Sequence, residues 1–222
     1  MKVGIDTALQ GTVVLGVLRL SNITHPSDEG AALWGEIEQV SAALRTEYEG
    51  NTVGQVPGIG RARTLYRSIG IDPTKNRPSS EALLRRLLKG KSLYRIHPLV
   101  DLFNLISLKM LTPVGLYDES KIQGDTVTVR IGRAAEGYDG IRKDRVNVAE
   151  RFCIADAAGP FGSPTSDSLR TSVDGRVPDA LAVFFQHASV DIDVLEQCLT
   201  LAADAAARYL GAEVIVKESV QG

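Results

Sequence analysis

The stretch Phe161 to Thr171, FGSPTSDSLRT, concentrates side chains that can do chemistry. Five of its eleven residues are Ser or Thr, and one carboxylate and one guanidinium sit among the hydroxyls. Asp167 has Ser166 and Ser168 beside it and Arg170 three residues on. Such a cluster can bind an ammonium group or a ribose hydroxyl. It can equally satisfy itself as a turn, because Ser and Asp side chains bond their own backbone. A second set lies in VDLFNL, where Asp101 and Asn104 are three residues apart and share one helix face. These two either line a cavity or bond a neighbouring loop. Asp118 and Asp156 each end a short apolar run, which reads as turn-forming acids.

Other chemistries lack their residue patterns. His25, His97 and His187 are isolated, with no acidic or Cys partner at ligand spacing, so no metal is expected. His97, before Pro98, reads as a structural group at a helix start. There is no G-x-S-x-G elbow, no Walker A loop and no G-x-G-x-x-G after a strand, so no cofactor is expected. Cys153 and Cys198 lie in apolar surroundings and read as core thiols. VPGIGRAR, Val56 to Arg63, invites comparison with the phosphate-binding turn of a helix-hairpin-helix, but EGNTVGQ before it is a poor helix. No DNA partner is expected.

Charge is the other chemical signal. The chain of 222 residues carries a formal net charge of -2, yet Arg61 to Arg95 holds ten Lys/Arg against Asp72 and Glu81. Ten less two is +8 in that window, which leaves -10 for the remainder. This is the footprint of a face that meets a polyanion, or else of solvated helix surfaces. Arg77, Arg85, Arg86, Lys89 and Lys91 are the candidate RNA contacts. The apolar run Thr12 to Leu18 is too short to span a bilayer, and the N-terminus carries an Asp without a basic leader. A soluble, reducing, cytoplasmic setting with no membrane partner is the expectation.

Elements must position these groups. Residues 12–18 read as a buried strand. Ser27 reads as the cap of a helix from about Asp28 to Tyr48, with Leu33, Ile37, Val40, Leu44 and Tyr48 as its apolar stripe. Short helices follow over 61–70 and from Ser79 or Ser80, as a cap, to Gly90, and a third over 98–110. From Val114 the period changes to two. GLYD and TVTVRIG read as strands, GYDGIRK as a turn, FCIAD and ALAVFFQ as strands around the opening loop. A helix over 190–210 and a strand EVIVKES close the chain. The pattern predicts one α+β domain over 1–222, with a mixed or antiparallel sheet flanked by helices.

Several segments, in order, resemble a known family: RPSSEALLRR, KSLYRIHPLVDLFN, PVGLYDESKIQGD and GPFGSPTSDSLRT. They are similar to the B3/B4 domain, the editing domain of the phenylalanyl-tRNA synthetase β subunit, which also occurs as free-standing proteins. The resemblance spans roughly 65–186, with extensions at both ends. It implies a B3/B4-like fold and deacylation of mischarged aminoacyl-tRNA in trans. It equally admits a non-catalytic module that holds tRNA, other RNA or a free amino acid. No aminoacylation domain is read in the sequence, so no aminoacylation activity is expected.

By that resemblance, the V-D-x-T-N pattern falls on Val100, Asp101 and Asn104, with its Thr position on Phe103. The P-x-H-x-x-D pattern falls on Pro113 and Asp118, with its His position on Gly115. A G-G-E-D-S stretch falls on Thr165 to Ser168, with its Glu position on Ser166. The missing Thr, His and Glu put tyrosine specificity in doubt. The expected pocket has Asp167 and Ser168 as catalytic groups. Phe161, Ser163, Thr165, Arg170 and Thr171 form one wall, backbone amides of FGSPTSDS serve as oxyanion donors, and Asp101, Asn104, Gly115 and Asp118 approach from the other side. A protein-interaction domain with a merely solvated basic region is the third reading.

Overall fold

The computed structural model describes residues 1–24, 30–141 and 144–222. Its centre is a pair of strands with apolar residues at nearly every position, β2 (Val13–Ser21) and β10 (Ala180–His187). They run antiparallel, with Val17 opposite Val183. Alternation sends Val13, Leu15 and Val17 to one face with Leu181, Val183 and Phe185, and Val14, Leu18 and Leu20 to the other with Ala180, Ala182 and Phe184. Both faces are covered. That is why the Thr12–Leu18 run shows no polar alternation: a strand buried on two sides has no solvent-facing set.

These strands belong to a four-stranded antiparallel sheet, β11-β2-β10-β3, with β3 at Val114–Asp118 and β11 at Glu213–Gln221. A second sheet has the order β1-β4-β7-β8-β9. It comprises β1 (Lys2–Ile5), β4 (Thr126–Ile131), β7 (Phe152–Asp156), β8 (Gly159–Ser163) and β9 (Ser166–Asp167). β1 pairs β4 in parallel and the other pairings are antiparallel, so the architecture is α+β with mixed sheets. Val127, Val129, Phe152, Ile154 and Phe161 of the second sheet meet the first sheet in one core.

On the opposite face lie α1 (Ala31–Glu47), α4 (Pro98–Met110) and α5 (Ile192–Leu210), bringing Leu33, Ile37, Leu99, Leu102, Leu199 and Ala202 into the second core. α5 crosses β2 at Gly16. A third, smaller core joins α2 (Ile59–Ser68) and α3 (Ser79–Leu88) to the end of α4 through Ile59, Leu84, Leu87 and Leu108.

Most expected elements are present, with three differences among the described residues. The proposed cap Ser27 and the helix start at Asp28, like His25, lie outside the described residues. Neither Ser79 nor Ser80 caps α3: the N-cap position is Pro78, and Ser80 is buried. β1 is not foreseen because four residues carry too little period. GYDG is not a plain turn. Gly137–Asp139 forms β5 and pairs with β6 (Arg145–Asn147), which buries Tyr138. Among the described residues, no helix is long and apolar enough to cross a membrane.

The α5 crossing generates a test. A Cβ at Gly16 would lie 2.8 Å from Leu195 Cδ1 and 3.1 Å from its Cγ. Gly16→Val therefore overpacks the helix–sheet contact and is expected to cost about 1–3 kcal/mol, read as a lower denaturation midpoint with an unchanged m-value in urea.

Candidate functional site

The FGSPTSDSLRT stretch is a hairpin and the turn that leaves it. β8 and β9 pair through Gly162 opposite Asp167 and Ser163 opposite Ser166, with Pro164 and Thr165 at the tip. Ser163 organises the tip: its Oγ accepts from Thr165 N at 3.3 Å and from Ser166 N at 3.2 Å. Ser168 N donates to the Phe161 carbonyl at 2.9 Å. These three amides were expected to face an oxyanion. They are engaged within the hairpin instead, because a tight turn must satisfy its own backbone.

The hydroxyls beyond the hairpin also turn inward. Ser168 and Thr171 are buried and lie 3.0 Å apart through their side-chain oxygens. Arg170 does not pair with Asp167. Both its terminal nitrogens donate to Asp156 at 2.9 Å, one also reaches the Lys121 carbonyl, and the guanidinium stands 5.6 Å from the Phe161 ring centroid. Asp156 Oδ1 also accepts from Ala158 N, the turn role its sequence position suggests.

Asp167 instead faces tyrosines. Tyr66, from α2, receives a hydrogen bond from Thr165 Oγ1 at 3.0 Å. Tyr138 donates to the Ser166 carbonyl at 2.5 Å and to Ser163 Oγ at 3.3 Å. Tyr117, from β3, is fully buried, edge-on to Phe161 at 4.8 Å between ring centroids. Burial raises all three phenol pKa values, and the Asp167 charge adds to each. The three phenols are therefore neutral hydroxyls at physiological pH. None of them was read as functional in the sequence, because buried aromatics on unrelated elements give no spacing signal.

Two glycines make room for Tyr117. A Cβ at Gly162 would lie 2.5 Å from the Tyr117 hydroxyl and 3.0 Å from Asp167 Oδ1, and a Cβ at Gly115 would overlap that hydroxyl outright. Gly115 thus does approach the hairpin, with the Tyr117 side chain between them. Asp118 approaches through its backbone, its N donating to the Thr171 carbonyl at 3.0 Å. Its carboxylate is taken by Ser120 N and Oγ and by Lys121 at 3.3 Å.

Asp101 and Asn104 are not brought to Asp167's neighbours. Asp101 accepts from Trp34 Nε1 and Ile96 N, both at 3.1 Å, fixing the chain that enters α4. Burial raises its pKa, against these donated bonds. Asn104 is half-buried on the same helix. His97 caps that helix, Nδ1 accepting from Leu99 N, with Nε2 2.9 Å from the Gly175 carbonyl. Cys153 and Cys198 are buried free thiols; burial pushes Cys153 up to about 11. Among the described residues, no group of three or more His, Cys, Asp or Glu is placed to hold a metal ion.

The hairpin borders a cavity of about 470 Å³ with a mixed polar and apolar lining. Ser163, Thr165 and Ser166 form one wall, Gly70 to Asp72 with Asn76 a second, and Asn147 and Arg151 a third. On the far side of α2, the expected RNA-contact cations are not equivalent. Arg77 lies 3.4 Å from Glu81, a buried carboxylate that also takes two 2.8 Å bonds from Arg63. Arg85, Lys89 and Lys91 are exposed.

A family model described as the B3/4 domain matches residues 61–210, about two thirds of the chain. The chain belongs to the B3/4 domain family. The match covers α2 to α5, and so every site residue above. A comparison with curated proteins gave no match. Among solved structures, the chain is similar to an N-terminal fragment of the phenylalanyl-tRNA synthetase β-subunit from Pyrococcus horikoshii. Identity is 10%, the TM-score is 0.49, and the alignment covers 96% of this chain and 50% of that one. This B3/4 chain thus spans about half the length of that fragment.

The tyrosine cluster makes a pH prediction. A phenol whose folded pKa is raised keeps its proton when the unfolded chain, with ordinary values near 10, has lost it. Its contribution is present below about pH 10 and is lost as pH rises beyond. Absorbance titration near 295 nm should show Tyr66, Tyr117 and Tyr138 ionising only together with loss of the far-ultraviolet dichroism signal. Tyr117→Phe should make that alkaline transition less steep.

Proposed function

We propose that this chain hydrolyses the ester of mischarged aminoacyl-tRNA in trans. Support comes from membership of the B3/4 family and from the ordered motifs that resemble the synthetase editing domain. The observation that carries the reading is the setting of Asp167. It is a carboxylate near three neutral phenols, on the hairpin whose Ser163, Thr165 and Ser166 line the cavity.

An aminoacyl ester is already activated, so a positioned water and hydrogen-bond donors suffice for its hydrolysis. Asp167 accepts a proton from the attacking water, whose oxygen bonds to the ester carbonyl carbon. The bond from that carbon to the ribose oxygen then breaks, and the proton passes to the ribose oxygen. The hydroxyls of Thr165 and Ser166 orient the aminoacyl group, while the buried phenols of Tyr66 and Tyr138 hold the hairpin that carries them. No metal or cofactor enters these steps.

A second reading, a non-catalytic module for tRNA, other RNA or a free amino acid, has its own observation. The positions where the synthetase pattern has Thr, His and Glu carry other work in this chain. Phe103 is buried against Phe184, Gly115 is filled by the Tyr117 hydroxyl, and Ser166 holds Tyr138.

The test is a panel of aminoacyl-tRNAs, correctly and wrongly charged, followed for loss of the ester. Selective hydrolysis of a few wrongly charged members is expected, slowed about a hundredfold or more in Asp167→Asn while tRNA binding persists. Binding without hydrolysis across the whole panel selects the second reading.

A further inference from the structure

α3 and the chain that leaves it form a surface the proposed hydrolysis does not use. Leu84 and Leu87 turn into the core, so Arg85, Arg86 and Lys89 turn out. These cations divide between two flanks of the helix. On one, Arg85 and Lys89 line a cavity of about 500 Å³ together with Arg63, Asn51 and Thr52. On the other, Arg86 Nε donates to the Ser92 carbonyl at 2.5 Å, and the guanidinium carbon stands 3.7 Å from the Tyr94 ring centroid.

Tyr94 is 64% exposed and Ile96 57%, in a segment without regular structure that also carries Lys91 and Arg95. Arg86 covers one face of the Tyr94 ring, so the exposure belongs to the other face. An exposed phenol held by a cation on one side is fixed before a partner arrives, and its free side is a stacking surface. Of the two acidic residues between Arg61 and Arg95, Glu81 is buried under Arg63 and Arg77. The outward side of α3 therefore offers cations and an aromatic plane, with Glu49, just after α1, as an acidic neighbour beside Leu87, Leu88 and Gly90.

We propose that α3 and residues 91–96 form a binding site for single-stranded RNA, in which an unpaired base stacks on the open face of Tyr94, the adjoining phosphates lie against Lys91, and phosphates farther along the strand reach Arg85 and Lys89 on the other flank of α3. Single strands are specified because stacking on a side chain needs a base whose face is free, which a duplex does not present. This inference rests on the tRNA-binding part of the proposed function and is independent of hydrolysis.

Fluorescence anisotropy of the full chain with a labelled single-stranded RNA of about ten nucleotides, and with a duplex of the same length, tests it across a salt series. The expected result is tighter binding of the single strand. Tyr94→Ala weakens it about fivefold or more without changing the salt slope, and Tyr94→Phe binds as the native chain does. Arg85→Ala with Lys89→Ala flattens the slope, since each lost phosphate contact releases fewer counterions. Absence of single-strand binding, equal affinity for the duplex, or native affinity in Tyr94→Ala each overturns the proposal. Deacylation that survives any of these results leaves the hydrolase reading standing. Single-strand binding with no deacylation removes the hydrolase reading alone.

Discussion

β2 and β10 must be apolar on both faces, because the second sheet covers one face and α1, α4 and α5 cover the other. A fully buried large apolar side chain contributes about 1.5–3 kcal/mol, and this pair holds Val13, Leu15, Val17, Leu18, Val183, Phe184 and Phe185 with essentially no exposure. The pairing has little freedom of register. A one-residue slip would exchange the two sets, moving Leu195's contact from Gly16 to a branched neighbour and sending Phe184 to the wrong core. The rest of the molecule is hung on this pair. β3 borders β10 and sets Tyr117, while β11 borders β2 on the other side.

Tyr117 transmits that rigidity to the candidate site. Its ring is locked against Phe161 inside the core between the sheets, and its hydroxyl is buried between Gly115 and Gly162 beside Asp167. The two glycines are not there for backbone freedom, since neither has positive φ; each is the absence of a side chain where an oxygen must pass. A core tyrosine thereby becomes a polar group at a defined place, which a loop residue would not be. Tyr66 from α2 and Tyr138 from the β5–β6 hairpin reach the same hairpin from two further elements. Three separate parts of the fold thus fix the surroundings of one carboxylate.

Much of the fold is legible in the sequence, and less of the site. Period-two alternation in TVTVRIG and the three- and four-residue steps of Leu33, Ile37 and Val40 place β4 and α1 because each element has one buried face. β1 and the β5–β6 pair escape because elements of three or four residues do not complete a period. The polar stretch at 161–171 is visible as a cluster, but its internal pairing is not. Arg170 stands close to Asp167 in sequence, yet it binds Asp156, which the β7–β8 hairpin brings round. The tyrosines are invisible for the opposite reason. Residues 66, 117 and 138 lie far apart in sequence and meet only through tertiary structure, and each alone reads as an ordinary core aromatic. Of the three, only Tyr117 falls in a segment that carries the family resemblance, PVGLYDESKIQGD.

The charge count shows the same limit and how structure resolves it. A net +8 in the Arg61–Arg95 window is a sum over groups with different work. Glu81 is buried at the first turn of α3, and a carboxylate there without partners would be costly. Arg63 supplies two bonds and Arg77 a third contact, so two cations and one anion form a structural unit that joins α2 to α3. Arg61 is drawn to the Met110 carbonyl at the end of α4. Removing these from the surface leaves Arg67 and Lys75 and, along one helix and the segment after it, Arg85, Arg86, Lys89, Lys91 and Arg95. Arg86 and Arg95 stand over Tyr94 and Trp34. The proposed RNA strand would meet this remainder and not the sum, and most of the remainder lies on α3 and the segment after it.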